Sequence, residues 1–316
     1  MPLPSFSAVK RVGIIGAGTI GASWSAYFLA HGHEVSAQDP SPKGEEFLKG
    51  FIERAWPSLE KLGLAKGASP SRISFTADPV KAIDGVDFVQ EQAPERLDLK
   101  QDLLAKIDAA LPAERVISSS TSSLKPSELS ARLKHKQRLI VGHPFNPPHL
   151  IPLVEVVGGP TASKEVVDWA IGFYRHIGKV AIRLKKEIPG HVSNRLQMAI
   201  FREALHLVLE DVVSVEDVDS AISDGPGLRW AIMGPMQTFA LAGGEGGMKH
   251  FVDHLGGMIA GLFKQLGHPD FDDAAIRKLL PAVEAAVKGK PVRERAAARD
   301  KALIWILTAL QNAKRS

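Results

Sequence analysis

The run RVGIIGAGTIGASWSAYFLAHGHEV, residues 11–35, constrains the fold more than any other stretch of the chain. A β-branched segment too short for a helix stops at closely spaced glycines, an apolar segment of helical length follows, and a second strand-like segment comes next. A strand, a helix and a strand in that order argue for parallel strands, because the helix supplies the long crossover that parallel neighbours need. The glycines Gly16, Gly18 and Gly21 follow the pattern G-x-G-x-x-G. Gly16 permits the turn, Gly18 has no side chain to keep a pyrophosphate from the helix N-terminus, and Gly21 lets helix and strand pack closely. Thr19 and Ile20, in the first helical turn, belong to the same expected dinucleotide site. The second strand ends in Asp39, placed to accept from a ribose 2′-hydroxyl and to repel a 2′-phosphate, so NAD is the expected cofactor. Lys43 nearby is the one cation that weighs the other way.

The alternation continues. RISFTA, VDFVQEQ, RVISSS, RLIVGH, LVEVVG and KVAIRL read as further strands, most of them separated by amphipathic segments such as LDLKQDLLAKIDAAL. After KKEIPG the strand pattern stops and only helical periodicity remains. The expected fold class is therefore α/β: a Rossmann-type, mainly parallel sheet domain over residues 1–187, then an all-helical domain over 188–316 for substrate binding and dimerisation. Helices this apolar in so small a domain are expected to bury a face against a second copy of the chain.

Bulk properties exclude other classes. The net charge of +4 is scattered among acidic residues rather than gathered in a stripe, which argues against nucleic acid as a partner. The absence of cysteine removes disulfides and thiolate chemistry. No apolar run approaches the ~20 residues that span a bilayer, no charged-then-apolar leader is evident, and a cytoplasmic protein is expected. His250 and His254 stand one helical turn apart, but no third ligand accompanies them and no metal site is expected.

In an open parallel sheet, ligands lie beyond the carboxyl ends of the strands. VQEQAPE, VISSSTSS and LIVGHPFN end three successive strands there, so Glu95, Ser120, Ser122 and His143 are expected to converge near the nicotinamide. Removing hydride from an alcohol carbon requires a base for the hydroxyl proton, and histidine, titrating near neutrality, suits that role. Such a base works best when a carboxylate holds its other nitrogen. Glu155 is the candidate, brought back to His143 by the turns of FNPPHLIP.

These residues carry a resemblance. GAGTIG, SSSTSSL, HPFNPPHLIPLVEVV, PGHVSNRL and GPGLRWAIMGP together resemble the 3-hydroxyacyl-CoA dehydrogenase family over nearly the whole chain. The resemblance implies His143 as base, Glu155 as its partner, Ser122 and Asn194 as hydrogen-bonding groups at the reacting oxygen, and Glu95 and Lys100 lining the cofactor site. Ser120 stands where the family often has asparagine. The segment FLKGFIERAWPSLEKLGLAKGASPSRI is compact and mixed in charge, unlike the lysine-rich arm that holds CoA in acyl-CoA members. The expected substrate is thus a small free 3-hydroxy acid. APERLDLK and LAGGEGGMKHF resemble the branch acting on L-carnitine, and NRLQMAI resembles the L-gulonate and lambda-crystallin branch. On the carnitine reading Arg229 clamps the carboxylate, Trp230 faces the trimethylammonium, and Phe201 and Phe239 complete an aromatic wall. Gln237 and Thr238 are the few groups suited to a polyhydroxy acid. A short-chain 3-hydroxyacyl-CoA substrate and a crystallin-like NADH-binding protein without activity are the alternatives.

Overall fold

The computed structural model describes residues 3–315 and contains one sheet of eight strands. In chain order the first unit runs β1 (Arg11–Ile15), α1 (Thr19–Ala30), β2 (Glu34–Gln38), α2 (Gly44–Leu62), β3 (Ile73–Thr76), α3 (Pro79–Ala82), β4 (Phe88–Glu91), α4 (Leu97–Ala110), β5 (Val116–Ser119), α5 (Pro126–Leu129), β6 (Leu139–Pro144), β7 (Leu153–Gly158), α6 (Lys164–His176) and β8 (Val180–Arg183). All eight strands coincide with runs read as strands from the sequence. Their spatial order is β3-β2-β1-β4-β5-β6-β7-β8, and every pair is parallel except β6 with β7. The order reverses between β1 and β4, which opens a crevice at the carboxyl ends of those strands.

Alternation along each strand feeds two cores. Val12 and Ile14 of β1 pack on one face with Trp24, Phe28, Phe88 and Phe173, while Ile15 packs on the other with Val89, Leu104 and Ile117. Helix α1 is buried on nearly all sides from Gly21 to Ala30, which explains why its sequence is apolar throughout rather than striped. Helix α2 is striped: Leu48, Ile52, Ala55 and Leu59 form its buried side.

After β8 the chain is helical: α7 (Ser193–Leu209), α8 (Val215–Ser223), α9 (Pro226–Trp230), α10 (Pro235–Ala242), α11 (Gly247–Phe263), α12 (Asp273–Ala286) and α13 (Val292–Arg315). Two compact units result. One comprises the residues up to Asn194 together with Arg299–Gln311 of α13, and the other comprises Arg195–Ala298 with the residues from Asn312. This differs from a boundary at 187–188. Residues 188–194 stay with the sheet because the amides of Val192 and Ser193 bond to Glu155. Among the described residues no helix is long and apolar enough to cross a membrane.

Candidate active site

The antiparallel pairing of β6 and β7 sets His143 directly opposite Glu155 in the register. Opposed residues in such a pair project to the same face, so a separation of twelve positions becomes a direct contact. His143 Nδ1 lies 2.9 Å from Glu155 Oε2, with the two side chains 4% and 1% exposed. Because an ionised carboxylate can only accept, the ring carries its proton on Nδ1 and keeps the Nε2 lone pair as the basic site. The other oxygen of Glu155 accepts from the backbone amides of Val192 and Ser193, each at 2.9 Å, at the start of α7. Burial pushes the Glu155 carboxyl up, but the bonds from His143, Ser193 and Val192 outweigh it and hold the group below its ordinary value. The same grip fixes the backbone next to Asn194, whose side chain is half-buried. The connecting segment contains the cis peptide Asn146–Pro147, and the buried Lys179 donates to the carbonyls of Pro148 and Ile151 within it.

Glu95 gathers the serine loop. Its Oε1 accepts from the Thr121 hydroxyl, from the amides of Ser122 and Ser123 at 3.0 and 2.9 Å, and from the Ser123 hydroxyl. Burial opposes ionisation of Glu95, yet these bonds and the Lys100 charge keep its carboxyl below the usual range. Ser122 is exposed at the loop tip. His191 ties the loop to the base: its Nε2 donates to the Thr121 carbonyl at 3.0 Å and its ring centroid is 4.9 Å from that of His143. Lys100 sits otherwise than expected of a cofactor-lining residue. It is 1% exposed and its Nζ is 2.7 Å from buried Glu91, so it supports the loop from beneath.

The glycine loop fits a dinucleotide. Gly16 has a φ of +89°, a left-handed conformation that favours glycine. A Cβ on Gly21 would overlap the Gly16 carbonyl, whereas one on Gly18 would project into open space. Gly18 caps α1 without any side-chain bond, leaving the first-turn amides of Thr19 and Ile20 for an anion. At the tip of β2, Asp39 is fixed by the amides of Ala17 and Ser41, each at 2.9 Å, one to each carboxylate oxygen. Lys43 is exposed. The side-chain amide of Gln92, beside Gly21, is buried with neither its nitrogen nor its oxygen partnered, a cost that a bound ligand would relieve.

The helical unit holds the residues expected to bind substrate. Arg229 and Trp230 lie in α9, with Trp230 38% exposed. Phe239 in α10 stacks on Phe251 at 5.0 Å. Phe201 instead meets Phe271 edge-on and lines a cavity of about 340 Å³ with Leu205, Val208, Val218 and Val283. Thr238 bonds back to the Gly234 carbonyl, and His250 and His254 stack on one another at 6.2 Å along α11.

Similarity to known proteins supplies the family. The model "3-hydroxyacyl-CoA dehydrogenase, NAD binding domain" matches residues 11–188, and "3-hydroxyacyl-CoA dehydrogenase, C-terminal domain" matches residues 190–282. The chain belongs to the 3-hydroxyacyl-CoA dehydrogenase family. It is an NAD-dependent oxidoreductase acting on a CH–OH group. L-carnitine dehydrogenase of Streptomyces griseus subsp. griseus is 48% identical over 98% of this chain and 92% of its own length. L-carnitine dehydrogenase of a Pseudomonas species is 42% identical over 99% and 97%. Among solved structures, the NAD+-dependent dismutase 5-formyl-3-hydroxy-2-methylpyridine-4-carboxylic acid 5-dehydrogenase superposes with a TM-score of 0.83 at 27% identity, covering 96% of this chain and 99% of that one.

No expectation from the sequence covers Gln90, Glu91 or Gln92, and His191 reads from the sequence as a packing or surface histidine. A signal was present for the first three. Polar residues in succession at the end of a strand otherwise made of Phe88 and Val89 are costly unless each has a partner.

Proposed function

We propose that this chain oxidises the C3 hydroxyl of L-carnitine, giving 3-dehydrocarnitine, NADH and a proton. Bound NAD+ supplies the hydride acceptor at nicotinamide C4. His143 Nε2 takes the hydroxyl proton, and Glu155 stabilises the imidazolium that forms while holding the ring's orientation. Ser122 and Asn194 hydrogen-bond the reacting oxygen. Gly16, Gly18, Thr19, Ile20 and Gly21 seat the pyrophosphate, Asp39 accepts from the adenosine ribose, and Glu95 and Ser120 border the nicotinamide end. Arg229 clamps the substrate carboxylate, and Trp230 and Phe239 offer aromatic faces to the trimethylammonium, where a tryptophan contributes about 0.5–2 kcal/mol.

The substrate is carried by one observation: a relative called L-carnitine dehydrogenase is 48% identical over 98% of the chain. We further propose a cytoplasmic homodimer joined through the C-terminal helices, in which the sheet unit binds the cofactor and the helical unit serves substrate binding and dimerisation. Its support is the large apolar side chains that the helical unit leaves exposed, among them Leu228, Ile232, Met236, Met258 and Phe263.

A substrate panel tests the reading. NADH formation is followed with L-carnitine, L-gulonate, 3-hydroxybutyrate and 3-hydroxybutyryl-CoA. The account expects the highest kcat/KM for L-carnitine. A preference for gulonate or for the CoA thioester, or no turnover of L-carnitine, overturns the substrate assignment.

A further inference from the structure

A chain of hydrogen bonds runs through the sheet and ends on Ser120. Ser118, Tyr174 and Gln90 are all fully buried. Ser118 Oγ and Tyr174 Oη are 2.8 Å apart, Tyr174 Oη bonds to Gln90 Oε1, and Gln90 Nε2 lies 2.7 Å from Ser120 Oγ and 3.3 Å from the Gly142 carbonyl. A Cβ on residue 142 would overlap both Tyr174 and Ser118, so the glycine before His143 makes room for the chain.

The direction of every bond follows from one group. The Gly142 carbonyl can only accept, so the end of the Gln90 amide facing it is the N–H₂. Gln90 Oε1 therefore faces Tyr174 and can only accept, and it takes the single phenolic proton. Tyr174, whose pKa burial raises, keeps that proton. With its proton committed, Tyr174 accepts from Ser118. On the far side the second amide proton of Gln90 goes to Ser120 Oγ, so that oxygen is an acceptor toward the protein.

A serine hydroxyl carries one proton and two lone pairs, and here one lone pair takes the Gln90 proton from within. Among the described residues no acceptor takes the Ser120 proton, which is left for a ligand at the carboxyl end of β5, where the residue is largely buried, at 9% exposure. We infer that Gln90, backed by Tyr174, is a positioning residue that orients Ser120 to donate its hydroxyl proton to the carboxamide oxygen of the nicotinamide. The pyrophosphate end of the crevice lies at β1 and α1, and β5 lies beyond β4 from it, on the side where the nicotinamide half extends. The inference rests on the proposed contact between Ser120 and the cofactor and adds what fixes its polarity.

The test is a double-mutant cycle on binding, read by NADH fluorescence titration with ADP-ribose as the control lacking nicotinamide. Ser120→Ala is expected to weaken NADH about tenfold and leave ADP-ribose unchanged. Gln90→Leu is expected to weaken NADH by a similar factor in the wild-type background and to have no further effect when Ser120 is already alanine. Should Gln90→Leu unfold because Tyr174 has lost its acceptor, Gln90→Leu with Tyr174→Phe removes both polar partners together and takes its place. An unchanged NADH affinity in Ser120→Ala defeats the contact itself. A loss in Ser120→Ala that Gln90→Leu does not reproduce, or that adds to it in full, leaves the contact standing and defeats the positioning role. Equal losses for NADH and ADP-ribose overturn the assignment to the nicotinamide.

Discussion

Glu155 divides its two oxygens between chemistry and architecture. One holds the His143 ring and the other holds the backbone at the start of α7, so replacing it disturbs both. Glu155→Gln keeps the shape but can present an N–H₂ to His143 Nδ1, favouring the tautomer with its proton on Nε2. Turnover is expected to fall by about 10²-fold or more with NADH affinity retained, measured by steady-state rates beside fluorescence titration. The folded-state pKa lies below the ordinary 4.5, so the stabilisation from ionised Glu155 is complete above that pH and is lost as pH falls through the folded value. Thermal melts are expected to show the wild type more stable than Glu155→Gln at pH 7, with the gap narrowing below pH 4.5. A gap that is constant down to pH 3 contradicts the account. At Asp39, substitution by alanine removes the charge that repels a 2′-phosphate. The ratio of NADPH to NADH affinity is expected to rise about tenfold or more by competitive titration.

At the scale of elements, the loop between β1 and α1 separates two kinds of glycine. Gly21→Ala forces the start of α1 away from the Gly16 carbonyl and is expected to cost both stability and cofactor binding. Gly18→Ala meets nothing within the protein at its φ of −65° and should leave the melting temperature within about 2 °C, while its methyl obstructs the pyrophosphate and weakens NADH. A Gly18→Ala variant that binds NADH normally contradicts the seating of the pyrophosphate there. Much of this was legible in the sequence, because a short β-branched run before glycines at fixed spacing admits few folds. The pairing of His143 with Glu155 was legible as an interval of twelve, but the antiparallel register that turns the interval into a contact belongs to the sheet. The chain from Ser118 to Ser120 was not legible, since it joins residues 56 and 84 positions apart across α6 and β4. The short helices α9 and α10 were obscured by glycine and proline in GPGLRWAIMGPMQTFALAGG, where turn signals mask helical periodicity.

At the scale of the whole molecule, the two units differ in how they dispose of apolar surface. The sheet unit buries aromatic residues such as Trp24, Phe28, Phe88 and Phe173 completely, whereas the helical unit leaves Leu228, Ile232, Met236 and Phe263 exposed. A homodimer covers such a face in a closed, self-complementary way. Sedimentation velocity is expected to give about twice the chain mass of 34.1 kDa, and a monomer across the micromolar range contradicts that part of the account. The central claim is that one braced imidazole accepts the alcohol proton during hydride transfer. The most direct measurement is single-turnover NADH formation from L-carnitine and saturating NAD+ by His143→Gln beside the wild type, with NADH affinity titrated on the same samples. The account predicts a rate at least about 10²-fold lower with affinity unchanged. A variant that binds NADH normally and turns over at the wild-type rate contradicts it.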